Sequence, residues 1–101
     1  MKMFTLTTPR ELRLTLASRL RALRLAENLS QATLAKRAGV SLGSLKRFER
    51  EGLASLELFV AVVACLGRLE ELEGLFKPTE PLTIAELDRR EAQPKRKRGQ
   101  R

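Results

Sequence analysis

The chain has 101 residues, a length typical of one small domain, and 43% of them are hydrophobic. It has 20 basic and 12 acidic residues, no histidine and a single cysteine, Cys65, which excludes an intramolecular disulfide and metal sites built from histidine or several cysteines. No apolar run approaches the roughly 20 residues of a membrane-spanning helix, and the N-terminus lacks the apolar stretch of a signal peptide, so a cytoplasmic protein is expected.

The first predicted helix begins after Thr8. The Thr8 hydroxyl can accept a hydrogen bond from the first turn, Pro9 suits the first helical position, and Glu11 completes a capping box. The leucines that follow are spaced by three and four residues and predict one buried face: Leu12, Leu16, Leu20 and Leu23. The helical pattern ends near Asn28, a residue type that often terminates helices.

Two short helices are predicted next, over residues 31–38 and 42–51, with Ser30 and Ser41 as their N-caps. Gly39 lies between them and fits the left-handed position that ends a helix. Gly52 fits the same position after the helix over residues 42–51. The residues expected to face the core are apolar: Leu34, Ala35, Leu45 and Phe48.

The rest of the chain predicts two further helices and a charged end. Ser55 caps a fourth helix over residues 56–66, and a fifth runs over about 69–76. Residues 82–87 fit either a helix or a short strand, and a helix is favoured. The segment that begins at Pro94 is too charged to fold alone.

Positive charge is concentrated in two parts of the chain. Residues 1–50 hold eleven basic and three acidic residues, residues 51–94 hold four and nine, and residues 95–101 add five basic residues. A polyanion, nucleic acid before anionic membrane, should therefore contact the first half and the tail. The tail alternatively serves only solubility or a protein contact, and the acidic middle alternatively forms a solvated surface.

Residues 31–51 predict a helix-turn-helix arrangement. Gly39 tolerates a positive φ angle, Val40 fills the corner between the helices, and the small Ala35 lets them approach closely. The first turn of the helix over residues 42–51 then protrudes, with its N–H groups and positive dipole end directed outward. A major groove about 12 Å wide accepts such a helix.

Three segments carry a family resemblance: Arg-Ala-Leu-Arg at 21–24, Leu-Ser-Gln-Ala-Thr-Leu-Ala-Lys-Arg-Ala-Gly-Val-Ser at 29–41, and Leu-Lys-Arg-Phe-Glu at 45–49. In this order they resemble the Xre/Cro/C-type repressor family over roughly residues 15–67. The resemblance implies an all-α, five-helix lambda-repressor-like fold that binds DNA as a transcriptional repressor.

The expected domain organisation has four parts. Residues 1–7 form an N-terminal arm, and residues 8–77 form the helix-turn-helix DNA-binding domain. Residues 78–93 are a C-terminal extension that contacts a dimer mate or partner, and residues 94–101 are a disordered basic tail.

The resemblance also implies roles for single residues. Gln31 would contact a phosphate and support the recognition helix, while Arg24 and Glu49 would form a structural pair between the first and third helices. The positions that contact bases and phosphates in the family correspond to Ser41, Leu42, Gly43, Ser44 and Arg47.

The residues themselves support part of this assignment. Because Leu45 and Phe48 are needed in the core, positions 42, 43, 44, 46 and 47 remain outward. This adds Lys46 to the DNA-binding candidates. Arg47 can contact guanine in a bidentate manner, worth about 1–3 kcal/mol of discrimination. Gly43 has no side chain, so DNA shape is expected to carry part of the specificity. Arg47 and Lys46 are alternatively solvated surface residues, and Ser41 a helix cap alone.

The second half of the chain is rich in large apolar residues, and a homodimer interface is expected to use them. They are Leu53, Leu56, Leu58, Phe59, Val60, Val62, Val63, Leu66, Leu69, Leu72, Leu75 and Phe76. The alternative is that all twelve fill the core of one protomer. Cys65 lies in the same run and is expected to be a small core residue.

Residues 67–72, residues 81–87 and the basic end are similar to the HipB-like group, the regulators encoded beside HipA-type kinase toxins. This resemblance implies a bacterial antitoxin that represses its own operon, with a HipA-like kinase as partner. The alternatives are a protein-interaction module and a stand-alone phage or bacterial regulator. The acids and lysines are not arranged with a recognisable nucleophile or metal site, and no catalytic triad or nucleotide-binding glycine loop is found, so neither an enzyme nor a cofactor is expected.

Overall fold

The computed structural model describes residues 7–79, which form five helices and no strand. The helices are α1 (Pro9–Ala26), α2 (Gln31–Ala38), α3 (Leu42–Glu51), α4 (Leu56–Cys65) and α5 (Leu69–Glu73). The five-helix, all-α prediction is therefore confirmed for this part of the chain. The helix favoured at 82–87, the basic tail, and most of the predicted arm and extension lie outside the described residues.

Local hydrogen bonds at the helix starts explain where the first four helices begin. The backbone N–H of Glu11 donates to the Thr8 hydroxyl at 3.0 Å, and the Thr8 N–H donates to the Glu11 carboxylate at 3.1 Å. Ser30, Ser41 and Ser55 each accept a backbone N–H from three residues further on at 3.0 Å. The predicted capping box and the three serine caps are confirmed.

Two helix ends differ from the predictions. α4 ends at Cys65 rather than Leu66, because Leu66 is the cap residue and the following Gly67 turns left-handed at φ +78°. α5 ends at Glu73 rather than near Phe76, which itself has φ +57° and cannot continue a right-handed helix.

The core lies where α1, α2, α3 and α4 meet. Its buried apolar residues come from all four helices and the cap of α4: Ala17, Leu34, Ala35, Leu45, Phe48, Leu58, Val62, Val63 and Leu66. The rings of Phe48 and Phe59 meet edge to face with their centroids 6.0 Å apart. Cys65 is partly buried against this cluster, so the expectation that it is a core residue is confirmed.

One residue of the predicted buried leucine face of α1 is placed differently. Leu12 is 48% exposed, whereas Leu16, Leu20 and Leu23 are half-buried. The buried side of α1 is centred on Ala17 and Arg24, seven residues apart. Because Leu12 precedes Ala17 by five residues, it lies about 140° around the helix from that side.

Candidate nucleic-acid interface

The turn between α2 and α3 is closed by two backbone hydrogen bonds. The N–H of Gly39 donates to the Lys36 carbonyl at 3.2 Å, and the N–H of Val40 donates to the Ala35 carbonyl at 3.0 Å. Gly39 has φ +75° and ψ +30°, the left-handed conformation that favours glycine. Val40 is half-buried and packs against the core, while Ala35 is only 3% exposed. The turn therefore holds α2 and α3 in one fixed relative orientation.

The N-terminal end of α3 is exposed, and its hydroxyl groups bind each other. The Ser41 hydroxyl accepts the N–H of Ser44 at 3.0 Å and donates to the Ser44 hydroxyl at 2.8 Å. Leu42 is 38% exposed, and a Cβ on Gly43 would meet no atom within 4 Å. The first turn of α3 thus presents the Leu42 side chain and the bare backbone at Gly43 to solvent.

Beyond this first turn, the outward face of α3 is basic. Three basic residues line the side of α3 away from the buried Leu45 and Phe48: Lys46, Arg47 and Arg50. We use the name basic face for the set Lys46, Arg47 and Arg50.

Both arginines of the basic face contact the carboxylate of Glu51. Arg47 Nε donates to Glu51 Oε1 at 3.3 Å, and Arg50 donates to Oε2 through Nε at 3.2 Å and Nη2 at 2.9 Å. All three side chains are at least 41% exposed. The hydrogen bonds from Arg50, and then those from Arg47, lower the pKa of Glu51 below its ordinary value of 4.5.

A buried polar network links α3 to α1 and α2. Arg24 donates to both Glu49 oxygens, from Nε at 2.8 Å and Nη2 at 3.0 Å, and its Nη1 donates to the Leu29 carbonyl at 2.7 Å. The side chains of Arg24 and Glu49 are 7% and 4% exposed. Gln31 Nε2 also donates to Glu49 Oε1, at 2.8 Å. The structure therefore brings together Arg24, Glu49 and Gln31 and fixes the orientation of α3.

Sequence reasoning missed two cationic residues beside this network. An open depression is lined by Arg21, Gln31, Lys46, Glu49 and Arg50. The Arg21 side chain is 57% exposed, with its Nε 4.0 Å from Glu49 Oε1. Two spacings could have shown these cations: Arg21 precedes Arg24 by three residues, and Arg50 follows Arg47 by three, so each shares a helix face with a candidate residue.

A second surface is apolar and contains no residue of the basic face. Two adjoining grooves share Leu16 and Phe59; one also includes Leu56 and the other Leu72. Several large apolar side chains of α4, α5 and the residues after α5 are exposed: Leu56, Val60, Leu69, Leu75 and Phe76. The alternative that all twelve apolar residues of the second half fill the core of one protomer is therefore wrong. We use the name apolar surface for the grooves and these five residues.

Residues 7–79 contain neither a cluster of metal ligands nor a membrane-spanning helix. In this range no three or more acidic, histidine or cysteine side chains are grouped so that they could hold a metal ion. None of the helices described there has the length and apolar character needed to cross a membrane.

Comparison with protein-family models identifies part of the chain. A family model described as helix-turn-helix matches residues 20–72, just over half of the chain. The matched range runs from the second half of α1 to α5 and includes the whole Arg24–Glu49–Gln31 network. No curated protein matches the sequence.

Proposed function

This chain belongs to the helix-turn-helix family of DNA-binding transcription regulators, and on that premise we propose that it is a sequence-specific repressor that inserts the first turns of α3 into the major groove. One observation carries the proposal: α3 is exposed and basic on one side and buried on the other. Its orientation is held by the Arg24–Glu49–Gln31 network. A rigid helix of this kind fits a groove about 12 Å wide.

Different positions along α3 are proposed to contact the bases and the DNA backbone. Arg47 binds a guanine edge, Leu42 contacts a thymine methyl group, and Lys46 binds the backbone. Gly43 brings the helix backbone close to the bases, so DNA shape contributes to the specificity at that point.

The proposed phosphate contacts lie at the starts of the two helices, at Gln31, Ser41 and Ser44. The Ser41 oxygen already accepts a backbone N–H, so its first role is that of a helix cap. The two hydroxyls exchange their mutual hydrogen bond for one to a phosphate when DNA binds.

We further propose that the protein acts as a homodimer and that the apolar surface forms the interface. Leu56 is 75% exposed and Phe76 94%, and apolar grooves lie beside Leu16 and Phe59; these features support the assignment, because exposed apolar surface can mark a protein contact. Two protomers would place their α3 helices in half-sites about 34 Å apart.

The finer proposal is autoregulation of a HipBA/HipBST-type toxin–antitoxin operon in the bacterial cytoplasm, at the nucleoid. It is supported by the resemblance of residues 67–72 and 81–87 to HipB-like regulators, and it names a HipA-like kinase as partner. A kinase reading frame beside the gene, with co-purification of its product, would support this proposal. A neighbour of another class would favour a stand-alone regulator.

A second candidate function is a protein-interaction module in which the helix-turn-helix serves only as a scaffold. The apolar surface favours this candidate, because its exposed apolar side chains, such as Leu56 and Phe76, could be covered by another protein. A pair of variants separates the two candidates. One variant should lose DNA binding and keep partner binding, and the other should lose partner binding and keep DNA binding.

The decisive experiment measures binding to a duplex that covers the promoter of the protein's own operon. Arg47→Ala is expected to abolish binding and to leave the circular dichroism spectrum unchanged. Lys77→Ala is the control, because it also removes one exposed positive charge and lies after α5, outside the helix-turn-helix. Unchanged operator affinity in Arg47→Ala would refute the assignment of α3 as the recognition helix.

A further inference from the structure

We propose that Glu51 is an intramolecular competitor of DNA: its carboxylate holds Arg47 and Arg50 until a duplex displaces it, and so attenuates the affinity of the basic face. The inference rests on the proposed binding mode and adds a regulatory residue to it. It assigns a function to an acidic side chain whose charge is opposite to that of the surface around it.

The hydrogen-bond geometry resembles the binding of a phosphate. Each oxygen of Glu51 accepts from a different arginine: Oε1 from Arg47 and Oε2 from Arg50. A DNA phosphate offers guanidinium groups the same pattern, with several acceptor oxygens and a negative charge. An arginine that binds Glu51 through its Nε has that donor occupied, and it must release the carboxylate before the same donor can reach DNA.

The other acid within α3 does not compete in this way. Glu49 is buried, and its oxygens are already engaged by Arg24 and Gln31, neither of which belongs to the basic face. Glu51 is 41% exposed and lies at the last residue of the helix. It is therefore the acid of α3 whose partners change when DNA approaches.

The exposure of these ion pairs makes the exchange reversible. Pairs between side chains that are 41–65% exposed are screened by solvent and salt. A duplex carries one negative charge per about 1.7 Å of its axis and can displace a single carboxylate. Glu51 therefore lowers the affinity without preventing binding, and its own charge adds repulsion against the phosphates.

The test measures the affinity of the full-length protein for a mixed-sequence duplex of about 30 base pairs by fluorescence anisotropy, at about 50 mM salt. Glu51→Gln is expected to tighten binding by roughly threefold to tenfold, the range that two exposed ion pairs allow. Glu73→Gln, which removes the same charge from α5, should change the affinity by less than about twofold. Thermal unfolding and circular dichroism verify that both variants are folded.

Two further proteins separate competition from a general charge effect. Glu51→Asp keeps the charge but shortens the side chain, so it should hold the two arginines less well and bind DNA more tightly than the wild type. In an Arg50→Gln background, which keeps Arg47 available for DNA, the added Glu51→Gln change should tighten binding less than it does in the wild type.

The outcomes distinguish the inference from the proposed function. Equal affinities of the wild type and Glu51→Gln, or an undiminished effect of Glu51→Gln in the Arg50→Gln background, would overturn the role of Glu51 alone. Failure of the wild type to bind any duplex would overturn the proposed interface and the inference with it.

Discussion

The end of α3 packs directly on the backbone of α1 where Gly52 meets Arg13. A Cβ on Gly52 would lie 3.0 Å from the Arg13 carbonyl carbon and 3.1 Å from its Cβ and carbonyl oxygen. The Arg13 Nε also donates to the Gly52 carbonyl at 3.2 Å. Gly52 itself has φ +71°. Both the space and the backbone conformation at this position therefore require glycine.

The first prediction follows from this close approach. Gly52→Ala is expected to lower the free energy of unfolding by more than about 2 kcal/mol, because the left-handed conformation and the overlap with Arg13 both oppose a Cβ. Gly39→Ala is the control, since Gly39 is also left-handed but a Cβ added there would meet no atom within 4 Å. Urea unfolding should show a smaller loss for Gly39→Ala, and equal losses would contradict the steric part of the argument.

The second prediction concerns Gly43, which the fold does not require. It lies in the first turn of α3, without a positive φ angle and with open space around a Cβ. Gly43→Ala should therefore stabilise the protein by about 0.5–1 kcal/mol, because alanine loses less backbone entropy in a helix.

Operator binding by Gly43→Ala should weaken despite the added stability, because a methyl group would separate α3 from the bases in the proposed complex. Calorimetry and anisotropy on the same preparation measure the two effects. Tighter operator binding would show that α3 does not approach the bases closely at Gly43.

The third prediction concerns the Arg24–Glu49 pair. Arg24→Ala or Glu49→Ala should each cost about 3–5 kcal/mol of stability, because the remaining charge is left buried without its partner. The double variant Arg24→Ala/Glu49→Ala should lose less than the two single variants together. Urea unfolding of all the proteins measures the coupling, and additive losses would contradict it.

The fourth prediction concerns salt. If about 6–10 phosphates are contacted per dimer, the operator affinity should fall about 10³–10⁵-fold between 50 and 200 mM salt. Titrations at several salt concentrations give the slope directly. A flat profile would mean that phosphates contribute little, and would contradict the use of the basic face in binding.

The fifth prediction concerns the titration of Glu51. Hydrogen bonds from Arg50 and Arg47 lower its pKa below 4.5. The ion pairs are therefore complete above the ordinary carboxyl pKa, and they are lost as the pH falls through the lowered value. Carbon NMR should show the midpoint rising toward 4.5 in Arg50→Gln. A midpoint that is unchanged by Arg50→Gln would contradict the assigned cause.

Features determined by neighbouring residues could be predicted from the sequence. The capping box at Thr8 and the serine caps depend on hydrogen bonds across three residues, so the residue types and their spacing were sufficient. The left-handed turn at Gly39 is equally local. Positions 46 and 47 remained outward by elimination, because Leu45 and Phe48 were assigned to the core.

Parts of the candidate interface could not be predicted from residue patterns. The pairing of Arg24 with Glu49 spans 25 positions and was indicated only by the family resemblance. The contribution of Arg21 to the depression depends on how α1 crosses α3. The Arg47–Glu51 pair has the i,i+4 spacing of a helix, whereas Arg50 is adjacent to Glu51 in sequence, so helical spacing does not predict that second ion pair.

The sequence by itself determined the five helices, the N-caps of the first four, the turn at Gly39 and the concentration of positive charge in the first half, because local hydrogen bonds and helical periodicity act between near neighbours. Only the tertiary structure decided that Leu12 faces solvent and that Gly52 must lie against Arg13. It also decided which apolar residues stay exposed. These outcomes depend on the angles at which whole helices pack, and those angles follow from the combined fit of many distant side chains.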